Sequence, residues 1–141
     1  MARIDIKRVD DAYAFEATDS NGNIARMDAA QAIGGNNSGI RPMQTLLMGL
    51  GGCGGVDIIS ILKKQRQEVR AFNMIIEGER EEGKEPSLWK DIHITFRFQG
   101  KIDAEKANKA CSLSIDKYCS VAATLRAAGC TITWKMEILP D

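Results

Sequence analysis

Between Pro42 and Leu62 the chain carries a single ionisable carboxylate and an almost unbroken supply of apolar side chains. Met43, Leu46, Leu47, Leu50, Val56, Ile58, Ile59, Ile61 and Leu62 fall on every side of a helical wheel, until the run Lys63-Lys64-Gln65-Arg66-Gln67-Glu68 ends the pattern. Proline suits the first helical position, so the helix is expected to open at Pro42. A helix that is apolar all round belongs in the interior of a protein. The chain has 141 residues, which predicts one domain over 1–141 with a real core. A domain of that size has difficulty covering such a helix alone. A second copy of the chain would supply the cover, so an obligate homodimer is expected.

The flanking segments read as strands before and after this helix. Ile4 and Ile6 alternate with charges, Tyr13 and Phe15 alternate in the next run, and Ser20-Asn21-Gly22-Asn23 is a turn signal leading to a third strand at Ile24 to Met27. Residues 29–39, rich in Gly and Asn, predict a loop. Beyond the helix, strands are expected at Val69 to Arg80 and Trp89 to Gln99. Asp103 is placed to cap a helix through Ala110, and a second helix is expected from Asp116 to Ala128, closed by Gly129. A last strand runs from Thr131 to Leu139. The order β-β-β-α-β-β-α-α-β predicts an α+β fold with antiparallel sheets and segregated helices.

Charge and cysteine usage narrow the chemistry. Nineteen Lys and Arg balance nineteen Asp and Glu. A formal net charge of zero offers no electrostatic footprint for nucleic acid. The N-terminal residues alternate polar and apolar side chains instead of forming a signal sequence, and no membrane span is expected, because charges interrupt the candidate runs. The cytoplasm is the expected location. Four cysteines without an export signal argue against a structural disulfide framework, and their spacings do not fit a metal site. No metal and no cofactor are expected. His93 is the only histidine. It alternates with Ile92, Ile94, Phe96 and Phe98 and so falls on the polar face of a strand, which leaves most histidine-based catalysis without its residue.

What remains is thiol chemistry. Cys53 sits in Gly-Leu-Gly-Gly-Cys-Gly-Gly-Val-Asp and Cys119 in Asp-Lys-Tyr-Cys-Ser-Val-Ala. The stretch Gly49 to Gly54 formally matches Gly-x-Gly-x-x-Gly, but a dinucleotide fingerprint needs a strand before it and the glycines opening the helix. Here the glycines follow two turns of expected helix, which points to close packing around a sulfur that a partner molecule can reach. If Cys53 and Cys119 act together, the fold must bring them together, and their natural product is a reversible disulfide. Cys119 stands where a helix N-terminus favours its thiolate and is expected to be the more acidic of the two. Asp57, one turn beyond Cys53, disfavours a second negative charge there unless it recruits a cation of its own. Cys111 and Cys130 occupy positions suited to a small hydrophobe. Trp89 and Tyr118 are expected to pack in the core, with the lining of a substrate pocket as the other role open to them.

The segment Arg41-Pro42-Met43-Gln44-Thr45-Leu46-Leu47-Met48-Gly49-Leu50-Gly51-Gly52-Cys53, followed by Tyr118-Cys119-Ser120-Val121, resembles the superfamily of osmotically inducible protein C and organic hydroperoxide resistance proteins. The variant Gly-Gly-Cys-x-x-x-Asp is similar to its OsmC-like branch. The resemblance implies an intertwined homodimer with sheets around central helices. It also implies a peroxidase in which Cys53 attacks an organic hydroperoxide, Cys119 resolves the sulfenic acid as a disulfide, and a dithiol reductant reopens it. Family peroxidases support the thiolate with an arginine, oriented by a glutamate two residues beyond the helix-opening proline. Gln44 occupies that position here. Arg41 is the nearest arginine in sequence, followed by Arg8 and Arg26. Besides the peroxidase, two other readings stay open: a binding module holding a small apolar ligand in a pocket rebuilt around Asp57, and a thiol redox sensor.

Overall fold

The computed structural model describes residues 1–141 and divides into two compact units, residues 1–46 and residues 47–141. In the first unit, β1 (Asp5–Arg8), β2 (Phe15–Thr18) and β3 (Ile24–Met27) form an antiparallel sheet in that order. The expected turn between β2 and β3 is present. Asp19 Oδ1 accepts the amides of Asn21 and Asn23 at 2.9 Å each, while Gly22 takes φ +83°, a conformation glycine adopts without a Cβ penalty.

The loop after β3 is organised by Asp28, which is buried. Its carboxylate accepts the backbone N–H groups of Ala29 (2.7 Å), Asn36 (3.2 Å) and Ser38 (3.0 Å) and the Ser38 hydroxyl (2.7 Å). These bonds, led by those from Ser38, hold the acid at a pKa of about 2, because each favours the charged form. The loop then delivers the chain to helix α1 (Pro42–Lys64). Gln44, at the third helical position, accepts the Arg41 amide through Oε1 at 3.3 Å, which is the return half of a capping box.

The second unit contains the rest of α1, then β4 (Glu68–Arg80), β5 (Trp89–Lys101), α2 (Ala104–Leu113), α3 (Ser120–Ala127) and β6 (Thr131–Ile138). This is the element order the sequence predicts, and the fold is α+β. Asp103 caps α2 as expected, accepting the Lys106 amide at 3.1 Å. Two details depart from expectation. The sheet order is β4-β5-β6, with β4 antiparallel to β5 but β6 parallel to it. A crossover carrying two helices is long enough to return the chain in the same direction, whereas a hairpin is not. The second departure is the helix expected from Asp116. Ser114–Tyr118 instead form a π-helical turn, Cys119 is extended (φ −70°, ψ 109°), and α3 starts only at Ser120.

Alternation along β5 buries Ile92, Ile94, Phe96 and Phe98 on one face, with Phe72 of β4 stacked on Phe98 at a centroid distance of 4.6 Å. His93 lies on the polar side and shares a 2.8 Å hydrogen bond with Thr133 of β6, as its position in the alternation predicts. Leu50, Ile58 and Leu62 of α1 complete the core. Each such side chain contributes roughly 1.5–3 kcal/mol on burial. The glycines of α1 allow close approach: a Cβ at Gly51 would stand 2.8 Å from Ile76 Cδ1 of β4, and one at Gly54 would stand 3.0 Å from Ile115 Cδ1.

By length and composition alone α1, with 23 residues and an 18-residue window of mean hydropathy 1.7, is apolar enough to cross a membrane, contrary to the expectation that charges interrupt every run. Within α1 Asp57 is the only charge before Lys63, and one charge does not break the run. A core helix passes the same test, and Leu50, Ile58 and Leu62 make α1 part of the core.

Candidate active site

The two cysteines singled out by the sequence meet where α1 passes the start of α3. Cys53 is half-buried and packs against the core cluster that includes Cys119, which is 2% exposed. Both thiols are free. They are close enough for Cys53 to oppose the ionisation of Cys119. A Cβ at Gly49 would lie 3.9 Å from Val121 Cγ1, so the glycine-rich turn of α1 faces the first turn of α3 with little side chain between them.

The π turn sets the position of Cys119. Its amide donates to the Ser114 carbonyl, five residues back, at 2.7 Å. The turn leaves Cys119 as the N-cap of α3, where its sulfur accepts the Ala122 amide at 3.4 Å. The expected helix N-terminus is therefore real, and the amides of Ala122 and Val121 do favour the thiolate. Burial is the larger effect, and with the neighbouring Cys53 it leaves the Cys119 thiol above its ordinary pKa. The expectation that the helix N-terminus sets the Cys119 ionisation is corrected on this point, because the sequence signals a cap but not its depth.

Asp57 makes no ion pair, and its polar neighbour is a hydroxyl instead of the cation its position calls for. The Ser114 hydroxyl lies 3.3 Å from Asp57 Oδ2 and 3.0 Å from the Gly54 carbonyl. Asp57 also lines a depression of about 300 Å³ with Ser60, Ile61, Lys64, Leu113 and Tyr118. Tyr118 is 53% exposed there, so it is no core residue, whereas Trp89 packs against the core over Gly78. A second depression of about 570 Å³, mostly apolar, lies along the glycine stripe between α1 and β4 and includes Gly52, Val56, Ile59, Phe72 and Met74.

Arg41 and Gln44 are together, at the start of α1. The Arg41 guanidinium is held by the Gly39 carbonyl (3.1 Å) and Asn37 Oδ1 (2.7 Å). Arg8 donates to the Ala12 carbonyl, and Arg26 to Ser38 and Glu16. Each candidate guanidinium thus has local partners. The remaining cysteines behave as small hydrophobes. Burial pushes the Cys111 thiol up to about 12, and burial followed by the Asp91 charge raises Cys130. No group of His, Cys, Asp and Glu is arranged to hold a metal ion. Ser114 was missed by the sequence reading, and nothing about a serine five residues before a cysteine would have marked it.

The sequence model for OsmC-like protein matches residues 35–135, which spans α1, both cysteines and most of the second unit. The chain belongs to the OsmC-like family. Within it, Protein YhfA of Escherichia coli (strain K12) is 39% identical over 114 residues, 77% of this chain and 83% of that protein. A hypothetical protein from Aquifex aeolicus VF5 is 31% identical, with a TM-score of 0.80 over 99% of this chain and 98% of its own. An organic hydroperoxide resistance protein OsmC from Legionella pneumophila shares the fold at a TM-score of 0.67 over 96% of both chains, with 13% identity. The OsmC-like fold is thus common to proteins named for hydroperoxide resistance and to others whose names state no activity.

Proposed function

We propose that this OsmC-like protein is a thiol-dependent peroxidase that reduces organic hydroperoxides through Cys53 and Cys119. The observation that carries the reading is the juxtaposition of two free thiols of unequal access. Half-buried Cys53 is the one a hydroperoxide reaches, and buried Cys119 is placed to resolve it. The Cys53 thiolate attacks the distal peroxide oxygen, the O–O bond breaks, and the alkoxide leaves as an alcohol by taking up from solvent a proton equivalent to the one Cys53 lost on ionising. The resulting sulfenic acid is attacked by the Cys119 sulfur, which forms the disulfide and releases water. A dithiol reductant returns two electrons and two protons and is itself oxidised to a disulfide.

The active form is proposed to be a homodimer in the cytoplasm, each chain contributing residues 1–141 as one domain. Support comes from apolar surface that a single chain leaves open: Met48 (53% exposed), Val56 (71%) and Ile59 (39%) on α1, with Ile6 and Ile24 of the small sheet. A 46-residue unit has too little interior to stand alone.

The test is consumption of cumene hydroperoxide in the presence of dithiothreitol. Wild-type protein is expected to turn over, Cys53→Ser to be inactive, and Cys119→Ser to stop at a trapped or overoxidised Cys53. Turnover by Cys53→Ser, or a wild-type disulfide through Cys111, would overturn the reading. A second reading, a redox sensor oxidised once and slowly, is favoured by Gln44 serving as a neutral cap and by the raised Cys119 thiol. Disulfide formation without turnover would select it.

A further inference from the structure

Ser114 is fully buried, and it is bonded to both segments that carry the reactive thiols. Its carbonyl accepts the Cys119 amide at 2.7 Å, closing the π turn. Its hydroxyl, 60 residues away in sequence from its partner, reaches the carbonyl of Gly54, the residue after Cys53, at 3.0 Å. The hydroxyl has one proton. It is shared between the Gly54 carbonyl and Asp57 Oδ2, at 3.3 Å, and both acceptors belong to the Cys53 turn of α1. From the other side, Arg126 of α3 donates to the Ile115 carbonyl at 2.5 Å and to Asp116 Oδ1 at 3.3 Å, so the π turn is clamped on both flanks.

We infer that Ser114 is a positioning residue of the thiol pair: its hydroxyl pins the Cys53 turn of α1 to the π turn that presents Cys119, and so sets how readily the two sulfurs bond. The inference rests on the redox pairing proposed above. A π turn inserts one residue into a helical path and often marks a functional site. Here the inserted turn ends the helix at Cys119 and frees its sulfur from the helical surface. Without a bond to α1, the glycine-rich surface opposite offers few side chains to fix the separation, because Gly49 and Gly54 carry none. The Ser114 hydroxyl supplies that fixing. A buried hydroxyl bonded to a helix carbonyl across an interface is directional, which apolar contacts are not.

The experiment equilibrates the purified full chain in glutathione buffers and measures the fraction of Cys53–Cys119 disulfide by mass spectrometry. In each exchange one S–S bond of glutathione disulfide breaks and one forms between Cys53 and Cys119. Two protons and two electrons pass to two glutathione thiols. Ser114→Ala is expected to lower the equilibrium constant for the protein disulfide between about threefold and tenfold, up to about 30 mV for this two-electron couple. Ser114→Thr, which keeps the hydroxyl, is expected to stay within about twofold of wild type. Thr95→Val removes a different buried hydroxyl, on β5, and is expected to lower the melting temperature without moving the constant.

A Ser114→Ala protein that titrates with wild type overturns the inference, as does a folded Ser114→Thr protein that loses as much as the alanine variant. So does a wild-type chain that forms no Cys53–Cys119 bond in the buffer. The peroxidase reading fails separately, if wild type forms the disulfide with glutathione but not with cumene hydroperoxide.

Discussion

Val56→Glu is the sharpest test of the homodimer proposed for this chain. In the single chain Val56 is 71% exposed, flanked by Met48 at 53% and Ile59 at 39% on the same stripe of α1. As an ordinary surface position it would tolerate the change within about 0.5 kcal/mol. As the centre of a symmetric interface it behaves differently. Burying a valine completely is worth roughly 1.5 kcal/mol, and the exposed share leaves about 1 kcal/mol per copy to be gained on assembly. A two-fold interface counts the residue twice, so about 2 kcal/mol is lost from this side chain alone. Two carboxylates brought face to face in an apolar contact add a desolvation and repulsion cost of at least a few kcal/mol. A total of about 4 kcal/mol raises the dimer dissociation constant roughly a thousandfold. Sedimentation velocity at micromolar concentration is expected to show a dimer for wild type and a smaller or unfolded species for Val56→Glu. A variant that sediments with wild type would refute the argument that this stripe is covered by a second chain.

Three further outcomes are expected. Gln44→Glu keeps the return cap to the Arg41 amide and adds a charge able to orient a guanidinium, so peroxide turnover is expected to rise about tenfold, one pKa unit of thiolate formation; an unchanged or lower rate in the cumene hydroperoxide assay would remove the arginine as the control. Cys111, raised to about 12 by burial, is expected to resist iodoacetamide at pH 8 in the native protein and to react only on unfolding, with Cys53 alkylated first, as read by peptide mass spectrometry. Asp28 has its pKa lowered to about 2, so its stabilisation is complete above the unfolded value near 4 and is lost as pH falls through about 2. Denaturation followed by circular dichroism is expected to show a decline over that window, and Asp28→Asn is expected to remove it while lowering stability at neutral pH.

What the sequence determined by itself is the set of properties that depend on local pattern. The alternation in β5 assigned His93 to the polar face, Pro42 opened α1, Asp103 capped α2, and Gly129 stands just past α3 with φ +101°. The cysteines were legible because a thiol in a stripe of glycines satisfies neither core packing nor metal binding. Tertiary structure decided everything that depends on which segments meet. The parallel pairing of β6 on β5 follows from a helical crossover whose return direction no residue pattern encodes. The π turn at Ser114–Tyr118 depends on a hydrogen bond from Cys119 to Ser114 and on a serine hydroxyl bonded across 60 residues, while local periodicity reads the same stretch as the start of a regular helix. The ionisation of Cys119 shows the division most plainly. Its cap is written in the neighbouring residues, but burial, a property of the packed fold alone, reverses the direction of the shift.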